Sequence, residues 1–198
     1  MDRVSFTRMI DGTTEEYAFL HSNHVETKAA RHVESLLALL RATGEPAAGY
    51  QVSRYEHALQ SATRALRDGA DEEWVVAALL HDVGDLIAPD DHASVAAALL
   101  RPYVSARTHW VVQKHGIFQG HYFWHHYGLD RNARDKYRDH PWFDACEYFC
   151  WNWDQNAFDP DYETLPLEAF EPMVRRIFAR EPYSMVDALP AMRKEEAA

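Results

Sequence analysis

The sequence predicts an all-α fold, and three observations carry that expectation. Apolar residues recur at helical spacing in almost every segment between Gly and Pro breaks. No hairpin signal of the Asn-Gly type lies between alternating strands. The chain has 198 residues, 47% hydrophobic and 26% charged, which suits one ordinary globular domain with its own core.

The elements follow in order. "EEYAFLHSNHVETKAARHVESLLALLRATG" reads as one long or two short helices ending at Gly44, and "GEPAAGYQ" as a loop. "RYEHALQSATRALRDG" places Ala58, Ala62, Ala65 and Leu66 on one face and stops at Gly69. Asp71 is a fitting N-cap for the apolar helix "EEWVVAALLHDVG". "DDHASVAAALLRPYV" and "SARTHWVVQKHG" follow, with breaks expected at Pro102 and Gly116. An aromatic-rich connection leads to "DRNARDKYRDH" and "PWFDACEYFCWNWDQNAF", where Pro141 suits a first helical turn. The last amphipathic helix is "LEAFEPMVRRIFAR", and the tail that follows should fray. The expected organisation is an N-terminal helical segment over 1–48 packing on the core, a main domain over 49–182 and a tail over 183–198.

Composition excludes some partners. The net charge is −11, from 31 acidic against 20 Lys and Arg residues, so nucleic acid and anionic membrane surfaces are poor partners. The N-terminus "MDRVSFTRMIDGTTEE" has no apolar signal stretch and no window approaches a membrane span, which makes the cytoplasm the expected location. Cys146 and Cys150, at i, i+4, fit a shared buried helix face better than a disulfide or a metal site. The 12 histidines are more than packing requires, and many of them lie with aromatic residues between 109 and 153.

The chemistry centres on "AALLHDVGDLIAPDDH", residues 77–92, where His81 and Asp82 close an apolar run. A buried carboxylate is costly unless it is paired or bound to metal. Adjacent helical positions point about 100° apart, so both side chains can face one cation only where the helix ends, and Gly84 permits that turn. Taken alone, the pair reads equally as a histidine at a helix C-terminus followed by a capping aspartate. His57 lies one predicted helix earlier, and Asp154 in a late helix beside Trp151 and Trp153.

The order His57…His81-Asp82…Asp154, with 24 residues between the histidines, resembles the HD superfamily. The stretch "YEHALQSATRALRDGADEEWVVAALLHDVGDL" carries the likeness on consecutive predicted helices. The resemblance covers about residues 50–180 and implies a helical bundle in which these four residues bind a divalent metal. His92 and His115 occupy the places of the further histidines that mark dinuclear members. The resemblance therefore implies six ligands, His57, His81, Asp82, His92, His115 and Asp154, around a buried dinuclear site bridged by Asp82. Such mixed nitrogen and oxygen sets suit iron, manganese or zinc, and the lack of thiolates argues against a structural zinc cluster.

Within that superfamily the ligand placement resembles the mixed-valent di-iron oxygenases, namely myo-inositol oxygenase and the organophosphonate-cleaving enzymes. The function implied is O2-dependent oxidation or cleavage of a small polar substrate, with two Fe ions as Fe(II)/Fe(III). The alternative is a phosphohydrolase acting on a nucleotide or phosphoester with Mn or Zn, and a third reading is a silent binding module. Where many family members carry Lys or His, this chain has Asp85, and the basic residue expected after His115 is Gln119. Tyr50 and Gln51 occupy the loop ahead of His57. If Asp85 faces the metals it would repel phosphate and favour a hydroxyl or ammonium group; otherwise it caps a helix and points away. Asp82 and Asp85 are thus the expected catalytic residues, and Asp85, Gln119 and Tyr50 the expected substrate contacts.

Overall fold

The computed structural model describes residues 2–44 and 49–182. The expected tail over 183–198 and the middle of the "GEPAAGYQ" loop lie outside them. The chain divides into two compact units, residues 1–38 and 39–198. Among the described residues the regular structure is helical throughout, and no helix is long and apolar enough to cross a membrane.

The first unit contains a 3₁₀ turn, Met9–Asp11, and most of α1 (Thr14–Ala42), which is one long helix. Its start is a reciprocal cap. The Thr13 amide donates to Glu16 Oε2 at 3.0 Å and the Glu16 amide to Thr13 Oγ1 at 3.3 Å. A further hydrogen bond from the Ser5 amide to Glu16 Oε1, at 2.6 Å, joins those in holding the Glu16 carboxyl below its ordinary range.

The second unit is built from α2 (Arg54–Arg67), α3 (Glu72–Leu80), α4 (His92–Leu100), α5 (Ala106–Phe123), α6 (Phe143–Phe149) and α7 (Leu167–Phe178). Ser53 starts α2 with a second capping box, its hydroxyl accepting from the Glu56 amide at 3.1 Å while its amide donates to Glu56 Oε2 at 2.7 Å. Gly69, at φ +78°, turns the chain out of α2 in the left-handed region. Asp71 caps α3 as expected, accepting from the Trp74 amide at 3.1 Å.

α3 is apolar all round and buried from Val75 to Leu80, because α2, α5 and α7 all pack on it. α4 lies on α5, and α5 on α6. α7 closes the core with Phe170, Val174 and Ile177. Large buried side chains such as Leu79, Phe118, Phe149 and Phe170 fill the space between these helices.

Two expectations change. α5 does not break at Gly116 but continues to Phe123, since packing of Val111, Val112, His115 and Phe118 outweighs the weak helix propensity of one glycine. "DRNARDKYRDH" forms only a 3₁₀ turn, Ala133–Tyr137. α6 runs directly into a π turn, Cys150–Asp154, closed by the Gln155 amide on the Cys150 carbonyl at 3.0 Å. Cys146 and Cys150 are free, buried thiols on one face, reaching the carbonyls of Val111 and His115.

Candidate metal centre

The six residues named as ligands converge at one point in the second unit. His57 comes from the first turns of α2, and His81 is the residue on which α3 ends. Asp82 is the next residue along, on the turn that follows. His92 opens α4, His115 lies within α5, and Asp154 ends the π turn. The helix end lets the adjacent His81 and Asp82 face the same centre.

Each imidazole is fixed from behind. Nδ1 faces a backbone carbonyl in every case: Ala157 for His57 at 2.9 Å, Ala78 for His81 at 2.8 Å, Pro89 for His92 at 3.3 Å and Val112 for His115 at 2.7 Å. A carbonyl only accepts, so Nδ1 carries the proton and Nε2 is left to face inward as a lone pair. That arrangement is the one that orients histidine for metal binding.

The inward atoms form two sets with Asp82 between them. Asp82 Oδ2 lies 3.4 Å from His57 Nε2 and 3.5 Å from His81 Nε2, while its Oδ1 lies 3.2 Å from His92 Nε2 and 3.1 Å from His115 Nε2. Asp154 Oδ1 sits with the first set, 3.4 Å from His57 and 3.6 Å from His81. His57, His81 and Asp154 have ligand atoms within 4.8 Å of one another, as do His81, Asp82 and His115. The first set is sealed, with His57 1% and His81 0% exposed, whereas the His92 side chain is 26% exposed.

The donor set fits a metal ion. His57 and His81 bring their Nε2 atoms to 3.2 Å, and His92 and His115 bring theirs to 3.3 Å. Two neutral lone pairs at such distances repel unless a proton or metal cation lies between them. Asp154 Oδ2 is buried with no hydrogen-bond partner, a further acceptor awaiting a cation.

Protonation follows the same demand. Burial opposes charge on His57, but hydrogen bonds to Asp154 and Asp82 outweigh it and push its pKa up to about 9. His92 also rises to about 9, burial being outweighed by Asp82 and Asp85. His81 is raised because the charges of Asp82 and Asp154 overcome its burial. Burial works against ionisation of Asp82 and Asp154, yet the charge of His81 and hydrogen bonds from the other imidazoles hold both well below the ordinary carboxylate range.

The centre opens into a cavity of about 390 Å³. Its walls are aromatic, from Tyr50, Tyr122, Phe123, Tyr127 and Phe158, with Arg54, Gln119 and Gln155 as polar groups. Phe158 stacks on His57 at 4.3 Å and on Tyr50 at 5.2 Å. Burial pushes the Tyr122 hydroxyl up to about 12, so it stays a hydrogen-bond donor.

The three expected substrate contacts are placed differently. Tyr50 lines the mouth, half-exposed. Gln119 lines the cavity and donates from Nε2 to Asp154 Oδ1 at 3.0 Å, while its Oε1 has no partner. Asp85 does not stand free above the centre. Its Oδ2 pairs with Arg54 Nε at 2.8 Å and its Oδ1 with His92 Nδ1 at 3.1 Å, which uses both oxygens behind the site. Its carboxylate therefore lies between Arg54 and His92 rather than alone above the centre.

Arg54 is the residue the sequence reading missed. It lies three positions before His57, one turn away on the same face of α2, and that spacing was the available signal. Two other histidines of this unit have partners elsewhere: His140 stacks on Trp110 at 4.0 Å, and His121 contacts the Arg131 carbonyl at 3.2 Å. Compared with known proteins, the chain matches no family model and no curated sequence.

Proposed function

We propose that this chain is a dinuclear metal enzyme of the HD type, and within that class a di-iron oxygenase that uses O2 to oxidise or cleave a small polar, hydroxylated substrate. One observation carries the reading: the two oxygens of Asp82 face two separate imidazole pairs, at 3.4 and 3.5 Å on one side and 3.1 and 3.2 Å on the other. His57, His81 and Asp154 would hold one ion and His92 and His115 the other, with Asp82 shared. Bound iron would supply O2 activation and an electrophilic seat for a substrate hydroxyl.

The chain's own residues do the rest. The carbonyls behind each imidazole and Gln119 behind Asp154 hold the ligands in fixed orientation, which limits reorganisation during turnover. Tyr50, stacked on Phe158, and Phe158, stacked on His57, form one wall of the cavity. Ligands that are all nitrogen and oxygen suit iron.

A specific observation also favours a second reading. The Arg54 guanidinium at the cavity wall could serve a phosphohydrolase loaded with Mn or Zn. The discriminating experiment starts from protein produced with iron. Metal analysis should give about two ions per chain, and Asp82→Ala should lose both. Small hydroxylated acids and polyols are then screened for O2 consumption, against phosphoesters screened for phosphate release without O2. Full occupancy retained in Asp82→Ala removes the dinuclear reading, and oxygen-independent hydrolysis with no O2 uptake removes the oxygenase.

A further inference from the structure

Arg54 occupies an unusual position for an ion-paired residue. Its Nε is taken by Asp85 at 2.8 Å, but its Nη1 lies 3.6 Å from Asp82 Oδ2, beyond hydrogen-bond reach. The guanidinium rests on the Tyr50 ring at 4.8 Å, and its side chain remains 33% exposed where it lines the cavity. Asp85 therefore holds the Nε side of the group, and Nη1 is left without a hydrogen bond on a side chain that lines the cavity. Among the described lining residues, Arg54 is the one with a permanent positive charge.

A guanidinium held flat in this way matches a planar or tetrahedral oxyanion, which it binds through two parallel hydrogen bonds. Asp82, its other acidic neighbour, has both oxygens turned to imidazoles. We propose that Arg54, set in place by Asp85 and Tyr50, is the specificity-determining residue of this cavity and takes an anionic oxygen group, carboxylate or phosphate-like, of the substrate. The inference rests on the metal-enzyme reading for where the reacting end of that substrate lies. It reverses the preference for a neutral or cationic substrate drawn from Asp85 in the sequence, because Asp85 spends its charge on Arg54 and His92.

The test uses the full chain as isolated, with and without two equivalents of zinc as a redox-silent metal. Inorganic phosphate and glycolate are titrated calorimetrically, with glycolamide as the uncharged counterpart of glycolate. Arg54→Gln should weaken phosphate and glycolate roughly tenfold to a hundredfold and leave glycolamide unchanged. Arg54→Lys should recover part of the loss, since it restores charge without the fork. Comparison of the two anions in the wild type then identifies a carboxylate or a phosphate-like substrate. Equal loss for glycolate and glycolamide, or no loss for either anion, overturns the proposal. A chain that takes up no zinc defeats the metal-enzyme reading instead, and the comparison made without zinc still decides the role of Arg54.

Discussion

Gly84 is the residue that lets α4 come close enough for His92 to reach the centre, and Gly84→Ala tests that geometry. A methyl group there would lie 2.5 Å from the His92 carbonyl oxygen, 2.9 Å from Val95 Cβ and 3.0 Å from His92 Cα. Backbone atoms cannot swing aside as a side-chain tip can, so the first turn of α4 must recede by roughly 0.9 Å to regain ordinary contact. Metal ligands tolerate displacements of only about 0.2 Å. On the dinuclear proposal the variant should lose the ion that His92 and His115 would hold and keep the one that His57, His81 and Asp154 would hold. The overpacking itself should cost about 1–3 kcal/mol, visible as a drop in Tm of several degrees. Metal analysis and thermal melts, alongside Gly116→Ala, provide the assay. Gly116 lies beside His115 with nothing within 4 Å of its added methyl, so that control should keep both ions. Two ions bound by Gly84→Ala with unchanged affinity would refute the reasoning.

Asp85→Asn keeps an acceptor near His92 Nδ1 but removes the charge shared by His92 and Arg54; a chelator competition should show about tenfold weaker metal retention, and unchanged retention would return Asp85 to a passive cap. The metal-free protein should also lose stability with rising pH. His57 and His92 have pKa values raised from 6.5 to about 9, so their contribution is full below pH 6.5 and disappears as pH rises through about 9. Asp82 and Asp154, held low, act in the opposite direction, adding stability above the ordinary carboxylate range that is lost only in strong acid. Melts in chelator between pH 6 and 9 should fall and added zinc should abolish the fall; a flat metal-free profile would show that protons do not hold this cluster together.

The parts of the molecule written in local chemistry were legible from the sequence. The Asp71 cap, the stop at Gly69 and the apolar wall of α3 each follow from side chains within one turn of the feature they set. The six candidate ligands are named through a resemblance of motif order and spacing, and the structure brings all six together. What escaped depends on contacts between distant segments. Gly116 reads as a break until the partners of α5 are known, and Asp85 reads as a free carboxylate until Arg54 is seen beside it, 31 positions earlier in the chain. The hydrogen bond from Gln119 to Asp154, 35 positions on, is likewise invisible until the two segments meet.

The π turn that ends in Asp154 changes how this region must be compared between chains. A hydrogen bond spanning five residues, Gln155 to Cys150, means the turn carries one residue more than an α-helix of the same rise. Loss of a single residue ahead of Asp154 in this turn would restore ordinary helical winding, because the extra residue is taken up within the turn itself. An insertion or deletion here is absorbed as a change of local winding rather than of length. Alignments that count helical phase through Cys150 will therefore place the wrong residue opposite Asp154 unless they step by one.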